Sequence, residues 1–494
     1  MNPQTSMRRH VTRRHVVSAM AISGVLAGTL ALSGCASLAP QGDMAAIAQL
    51  TAERTAGVAL DAQAVSPASA EAERAQAVGQ LLQRQPLAAD DAVRIALLNS
   101  PAVQASLAQL RISDAQRVQA ALLPNPHIAL GRVREGSTRE VERALGFNLL
   151  GILALPWRSE WQGQQHELSR LQAAQELVRT AADARKAWVR AVAAQQAADY
   201  AEQARDAASA AAELARRMAR VGNASRYQQA KEQAVLAEVT AQLAKARHAA
   251  VAEREQLLRT LGLWGAQAQI TLPAQLPALP PALAERRDIE SQALRERLDV
   301  RSAVLQADQA ARAVGYARVT GYVSALDLTV QRSVTRDLAH GEREVARGLE
   351  LELPLPLFDW GGAATAQARA RYELAAAQVH QTAVQARSEV REAWHGWRTA
   401  YDLARHYRDE IVPLRRFITD ETLLRYNGML TGVFDLLADT RTTISAVGAS
   451  VDALRDFWLI DTDLRTALTA TSPGGLAALR SSASAGPADS GKGH

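Results

Sequence analysis

The 494-residue sequence has a single cysteine, Cys35. That excludes a disulfide framework and any cysteine-based zinc site. Aromatic residues are only 4% of the chain, too few for an ordinary β-sandwich, whose strands favour aromatic and β-branched side chains. No stretch after Cys35 reaches the length of a membrane-spanning apolar helix. Catalytic signatures are missing too: there is no His-Glu-x-x-His, no nucleophile elbow and no phosphate-binding glycine loop. The sequence therefore reads as no enzyme, with no cofactor and no metal site. What it has in excess is alanine, roughly a fifth of all residues, the strongest helix former. At 48% hydrophobic and 22% charged, the composition is globular.

The formal net charge of +5 first suggests a nucleic-acid partner. Its location argues otherwise. Arg8, Arg9, Arg13 and Arg14 precede an apolar run from Val16 to Leu32, and Leu32-Ser33-Gly34-Cys35 follows. A basic head, a short apolar core and small residues before a cut make a secretory leader, not a membrane span. Loss of residues 1–34 would take the charge from +5 to +1, and nucleic-acid binding loses its support. Leu-Ser-Gly-Cys resembles the bacterial lipobox, which predicts lipidation of Cys35. Acyl chains hold a soluble chain to a membrane at about 0.8 kcal/mol per buried methylene. Ala36 and Ser37, with no Asp beside the cysteine, resemble an outer-membrane address.

Beyond the leader the chain reads as two similar halves. Residues 36–87 read as an extended arm. A helix is expected from Ala88 to Leu122, broken at Pro101. Two long helical tracts follow, Glu160–Leu263 interrupted at Gly222-Asn223, and Thr365–Leu468 interrupted at Asn427-Gly428. At 1.5 Å per residue, about sixty residues span about 90 Å, which requires a coiled coil, a helical repeat or a helical tube. Pro413 is the one proline placed inside these tracts. Ser100, Leu155 and Gly222 align with Leu298, Leu355 and Gly428, offsets of 198, 200 and 206, so the halves look duplicated. The expected segments are a leader at 1–34, an acylated arm at 35–87 and a first repeat at 88–271. A Pro-rich linker at 272–284, a second repeat at 285–470 and a disordered tail at 471–494 complete them.

Each half also carries a strand pair. Leu326, Leu328 and Val330 alternate with polar residues, as do Leu349, Leu351, Leu353 and Leu355. In the first half the signal is Ile128 and Leu130, then a stretch near Ala144–Leu155. Segments of this length and alternation suit either a transmembrane β-barrel or a half-buried soluble sheet.

The ordered set of Pro354-Leu355-Pro356-Leu357-Phe358-Asp359-Trp360-Gly361-Gly362, Ala366-Gln367-Ala368, Arg425-Tyr426-Asn427-Gly428, Phe434-Asp435-Leu436-Leu437 and Arg441 resembles the TolC family of outer-membrane efflux factors. The duplicated layout and lipobox resemble its lipidated branch, serving pumps of the RND type, and Leu123-Pro124-Asn125-Pro126 resembles its heavy-metal members. The resemblance implies a mainly α fold with a transmembrane β-barrel portion, completed as a trimer. Each protomer would give four strands and a set of long helices. It implies a passive channel for drugs or heavy-metal ions, with a periplasmic adaptor, an inner-membrane pump and outer-membrane lipid as partners. Asp435 matches the first acidic position of the periplasmic constriction, and Asp439 lies one residue past the second. Gly428 precedes Asp435 by seven residues where the family spacing is six. Arg220, Gly222, Arg425, Tyr426 and Gly428 fall on the hairpin tips that contact the adaptor. His395, Asp402 and His406 can share one helical face, and read as solvated side chains beside Trp394 and Trp397. Two other readings stand beside this one: a structural periplasmic coiled-coil lipoprotein, and a channel for type I protein secretion.

Overall fold

The computed structural model describes residues 40–52, 54, 55, 58, 71–283, 285–321 and 325–474. The leader, Cys35 and most of the tail lie outside the described residues. The helices are α1 (Pro40–Ala52), α2 (Glu71–Leu82), α3 (Ala89–Asn99), α4 (Pro101–Ala120), α5 (Leu149–Leu153), α6 (Leu155–Arg220), α7 (Arg226–Leu261), α8 (Ile289–Glu296), α9 (Leu298–Thr320), α10 (Gly362–His406), α11 (Val412–Asn427) and α12 (Val433–Thr469). The strands are β1 (His127–Glu135), β2 (Thr138–Asn148), β3 (Asp327–Asp337) and β4 (Arg343–Glu352). The chain divides into two compact units. One comprises Asp114–Glu160 and Asp327–Glu350, and contains the sheet. The other comprises Pro40–Ser113, Trp161–Leu326 and the described part of Leu351–His494.

The helical unit is built on small side chains. On α6 the residues Leu177, Ala181, Ala184, Trp188 and Val192 are buried, at the three- and four-residue spacing of one helical face. They join Ile95, Leu97, Leu257 and Leu261 in one core. On α10 the stripe Val390, Ala393, Trp397, Ala400, Tyr401 and Ala404 packs in a second core with Phe457, Ile460 and Leu464 of α12. Trp397 Nε1 donates to the buried Asp461 carboxylate at 3.0 Å, so the ring contributes area without leaving an unpaired N–H. Asn99 caps α7 from outside, its Nδ2 donating to the Leu261 and Gly262 carbonyls at 3.1 and 2.7 Å.

The break expected at Pro101 occurs, and Pro101 opens α4, where its missing N–H is not needed. Pro413 has a subtler effect. A π-turn at Tyr407–Ile411 separates α10 from α11. Pro413 cannot donate to the carbonyl four residues earlier, and the wider turn absorbs the lost bond.

Two expectations are corrected. The stretch 36–87 is not simply extended, since it contains α1 and α2, with Met44, Ile47 and Val78 buried in the core. The proline-rich segment is more than a spacer. Tyr401 OH donates to the Pro280 and Pro281 carbonyls at 3.1 and 3.0 Å, and Trp458 Nε1 to the Pro277 carbonyl at 3.0 Å. Removing the hydroxyl in Tyr401→Phe is expected to cost about 1 kcal/mol, read as a lower urea midpoint with unchanged helical content. An unchanged midpoint would show that water satisfies those carbonyls equally well.

In the other unit the four strands form one antiparallel sheet of order β1-β2-β3-β4. Ile128 stands opposite Leu145, which stands opposite Val330. Gly136, at φ +57, turns the first hairpin, and the Leu338 N–H donates to the Ser137 carbonyl at 2.9 Å. The strand bounds differ from those expected. β2 ends at Asn148 rather than continuing to Leu155, because the Asn148 side chain caps α5 through the Gly151 N–H. β3 runs well past Gln331. β4 starts at Arg343 and stops at Glu352, before Pro354 and Pro356, which cannot donate to a ladder.

Candidate functional site

The candidate site has two parts, the helical hairpin tips and the sheet. The two tips have one hydrogen-bond pattern. At the first, the Asn223 N–H donates to the Met218 carbonyl at 2.8 Å and the Gly222 N–H to Ala219 at 3.2 Å. At the second, the Leu430 N–H donates to Arg425 at 2.8 Å and the Met429 N–H to Tyr426 at 3.0 Å. Both are helix ends closed by a left-handed residue. That residue is Gly222 at φ +83 in the first and Met429 at φ +58 in the second.

The duplicated tips therefore correspond with an offset of 207, and Gly222 pairs with Met429. This corrects the alignment of Gly222 with Gly428, whose φ is −81. Met429 precedes Asp435 by six residues. A methionine in this conformation costs about 1–2 kcal/mol, and Met429 is 93% exposed, so no packing recovers that cost. Met429→Gly is expected to stabilise the tip by about 1 kcal/mol, seen as slower amide hydrogen exchange at Leu430. Unchanged exchange would mean that the turn carries no strain.

Arg220, Gly222, Arg425, Tyr426 and Gly428 are all exposed. Arg425 reaches Glu421 at 3.1 Å. Val221 and Leu430 are bare as well, at 71% and 80% exposure. The tips thus present apolar side chains beside arginines. Just past the second tip, the Asp435 carboxylate accepts from the Gly432 N–H at 3.3 Å and the Thr431 hydroxyl at 3.0 Å. It sits in the first turn of α12, where a carboxylate suits the helix dipole. Asp439 accepts from the Thr422 hydroxyl at 2.6 Å. Each acid is thus held within its own hairpin.

His395, Asp402 and His406 are exposed, and His406 Nδ1 lies 3.2 Å from Glu410. Sequence reasoning missed a buried chain elsewhere. His166 Nε2 meets Asp43 at 3.0 Å, and His166 Nδ1 meets Ser113 Oγ at 2.9 Å. The residue types are those of a hydrolytic triad, but the ring nitrogens are reversed from that arrangement. Ser113 is 3% exposed and donates to the Leu110 carbonyl. This chain ties α1 to α6; nothing in its sequence spacing signals it.

In the sheet, neither face is covered. Among strand residues only Gly146 is buried, while Ile128, Leu130 and Leu349 are 71%, 76% and 71% exposed. The edges of β1 and β4 have no strand partner among the described residues. The register sorts the side chains by charge. The Asp337 N–H bonds the Glu342 carbonyl and the Gln331 side chain lies over Gly348, which sets Val330 opposite Leu349. One face then carries an apolar row, Ile128-Leu145-Val330-Leu349. Every strand arginine is on that same face, and every strand carboxylate is on the other.

Residues 289–428 match the family described as outer membrane efflux protein. No curated protein matches by sequence. Solved structures match by fold. A membrane protein from Pseudomonas aeruginosa aligns at a TM-score of 0.66 with 18% identity, covering 79% of this chain and 95% of its own. The CmeC outer membrane channel of Campylobacter jejuni aligns at 0.63 with 16% identity, covering 77% and 85%. The open-state MtrE outer membrane channel of Neisseria gonorrhoeae aligns at 0.62 with 20% identity, covering 78% and 88%. The fold of this chain is the fold of those proteins.

Proposed function

We propose that this chain is the outer-membrane channel of a tripartite exporter, a passive conduit rather than an enzyme. The observation that carries the reading is the sheet: four strands, two open edges and an uncovered apolar face, attached to helices too long for an ordinary domain. Four strands cannot close a barrel, and an open edge in lipid leaves backbone groups unpaired. Three copies supply twelve strands and a continuous ladder. The apolar face would meet lipid and the carboxylate face the lumen. A lipidated Cys35 would hold the chain to the outer membrane while the helices extend into the periplasm. An inner-membrane pump would supply the energy and select the solute, whether drug, metal ion or, in a secretion system, polypeptide.

Conductance of the purified protein in planar bilayers, with native mass spectrometry for the trimer, tests this reading. A structural coiled-coil rod would give neither pores nor a closed trimer. In the open pore, three copies each of Asp435 and Asp439 would line the periplasmic end and favour cations. The tips would dock the periplasmic adaptor. Arg425→Glu reverses the charge at an exposed tip position and is expected to weaken adaptor pull-down by about tenfold. Unchanged pull-down would remove Arg425 from the docking surface.

A further inference from the structure

The arginines of the sheet are arranged in rows. Arg134 stands opposite Arg139, Arg139 opposite Arg336, and the β3–β4 register continues the row to Arg343. Four residues nearer the other end of the strands, Arg143 stands opposite Arg332 and the row continues to Arg347. Adjacent strands are about 4.8 Å apart, and like charges directly opposite one another are destabilising. No intramolecular ion pair relieves these rows among the described residues, and the strand carboxylates project from the opposite face. Arg139 Nε is buried without a hydrogen-bond partner.

The surroundings of the rows are apolar. Between them Val141 and Val334 stand side by side, with Arg132 next to Val141 at the β1 edge. Arg143, Arg332 and Arg347 border a shallow recess with Ile128, Leu145 and Val330. An arginine on the lipid face costs about 2–4 kcal/mol at the bilayer midplane but little near the interface. The row Arg134-Arg139-Arg336-Arg343 lies beside the hairpin turns, which places it at a membrane surface if the sheet spans a bilayer, whereas Arg143, Arg332 and Arg347 lie at mid-strand.

We infer that the row beside the hairpin turns binds the phosphates of phosphorylated membrane lipids, with the apolar residues deeper along the strands taking the acyl chains. The inference rests on the reading of the sheet as part of a membrane barrel. Phosphate is the matching anion because the planar guanidinium grips it with two parallel bonds. The apolar rows favour a lipid over a free phosphate or a nucleic acid. Each anion held there removes the repulsion within a row, so lipid is expected to stabilise the assembled sheet.

The test is titration of the purified full-length protein in detergent with bisphosphorylated lipid A and with the same lipid after phosphate removal, scoring retained lipid by native mass spectrometry. The phosphorylated lipid is expected to bind about tenfold or more tightly. Arg139→Gln, Arg336→Gln and Arg343→Gln together are expected to erase that preference. Equal retention of the two lipids by the unsubstituted protein would overturn the inference without recourse to any variant. So would an undiminished preference in the triple variant. Conductance of the same preparations separates the two ideas. Pores without a phosphate preference refute the lipid site alone, whereas absent pores refute the channel.

Discussion

Arg297→Met is expected to destabilise the helical unit by about 3–5 kcal/mol, the usual cost of breaking a buried ion pair from one side. Arg297 is 1% exposed, at the junction of α8 and α9. Its Nη2 meets Asp299 at 2.6 Å and its Nη1 meets Glu389 of α10 at 2.8 Å. Burial opposes the guanidinium charge most strongly, but the bonds to Asp299 and Glu389 outweigh it and raise the pKa. Glu389 likewise feels burial first, yet bonds from Ser472, Gln385 and Arg297 bring its carboxyl below the ordinary value. Methionine would fill similar volume and leave both carboxylates without the cation. Arg297→Lys is expected to recover only part of the loss, because an ammonium cannot span the two acids as the planar fork does. Urea unfolding measures the effect, and a loss below about 1 kcal/mol would mean that water enters and solvates Glu389. The sign with pH follows. A depressed carboxyl contributes stability above its unfolded pKa, and this is lost as pH falls through the folded value. Glu389→Gln should therefore flatten the acid limb of the stability profile. Asp463 acts oppositely. Burial raises its pKa despite Lys186 at 3.1 Å, so its contribution is present below the unfolded value and lost as pH rises through the folded one.

The long helices are legible because alanine-rich sequence with few internal glycines and prolines has few alternatives to helix, and the tips are legible from Gly222-Asn223 and Asn427-Gly428. The strands were legible only in part. β1 announces itself through Ile128 and Leu130, but Arg132 and Arg134 occupy the same face. A reading that equates the apolar face with apolar residues stops there. Arg139 and Arg143 interrupt the alternation of β2 in the same way, so its sequence signal falls too late, near Ala144–Leu155. At the second tip the sequence points to Gly428, because glycine is the default for the left-handed conformation, whereas the residue that adopts it is its neighbour Met429. Buried polar ties leave no local signal at all. Glu389 is 92 residues from Arg297, and His166 is 123 residues from Asp43. Their pairing is a property of the packed helices.

Gly361→Ala is expected to cost about 3 kcal/mol or more, whereas Gly362→Ala should be neutral or mildly stabilising. The two glycines are adjacent in Asp359-Trp360-Gly361-Gly362, so this pair of variants separates backbone geometry from any general effect of the segment. Gly361 has φ +75, and a Cβ there would lie 2.5 Å from the Cα of Gly321 at the end of α9. That neighbour is backbone and cannot rotate away. The left-handed conformation alone costs a non-glycine residue about 1–3 kcal/mol, and overpacking adds about 1–3 kcal/mol more. Gly362 begins α10, and a Cβ there meets nothing within 4 Å; removing glycine from a helix is worth about 0.5–1 kcal/mol. Gly321→Ala meets the same contact from the other side, its Cβ falling 2.9 Å from the Gly361 Cα and 3.1 Å from the Trp360 carbonyl. Once either alanine has forced the backbones apart, the second adds little further overlap. The double variant should therefore be less destabilised than the sum of the singles. Thermal unfolding of the unsubstituted protein, the three single variants and the double variant decides it. Additive losses, or an alanine at 361 no worse than one at 362, would show that the close approach of the two glycines does not hold this turn.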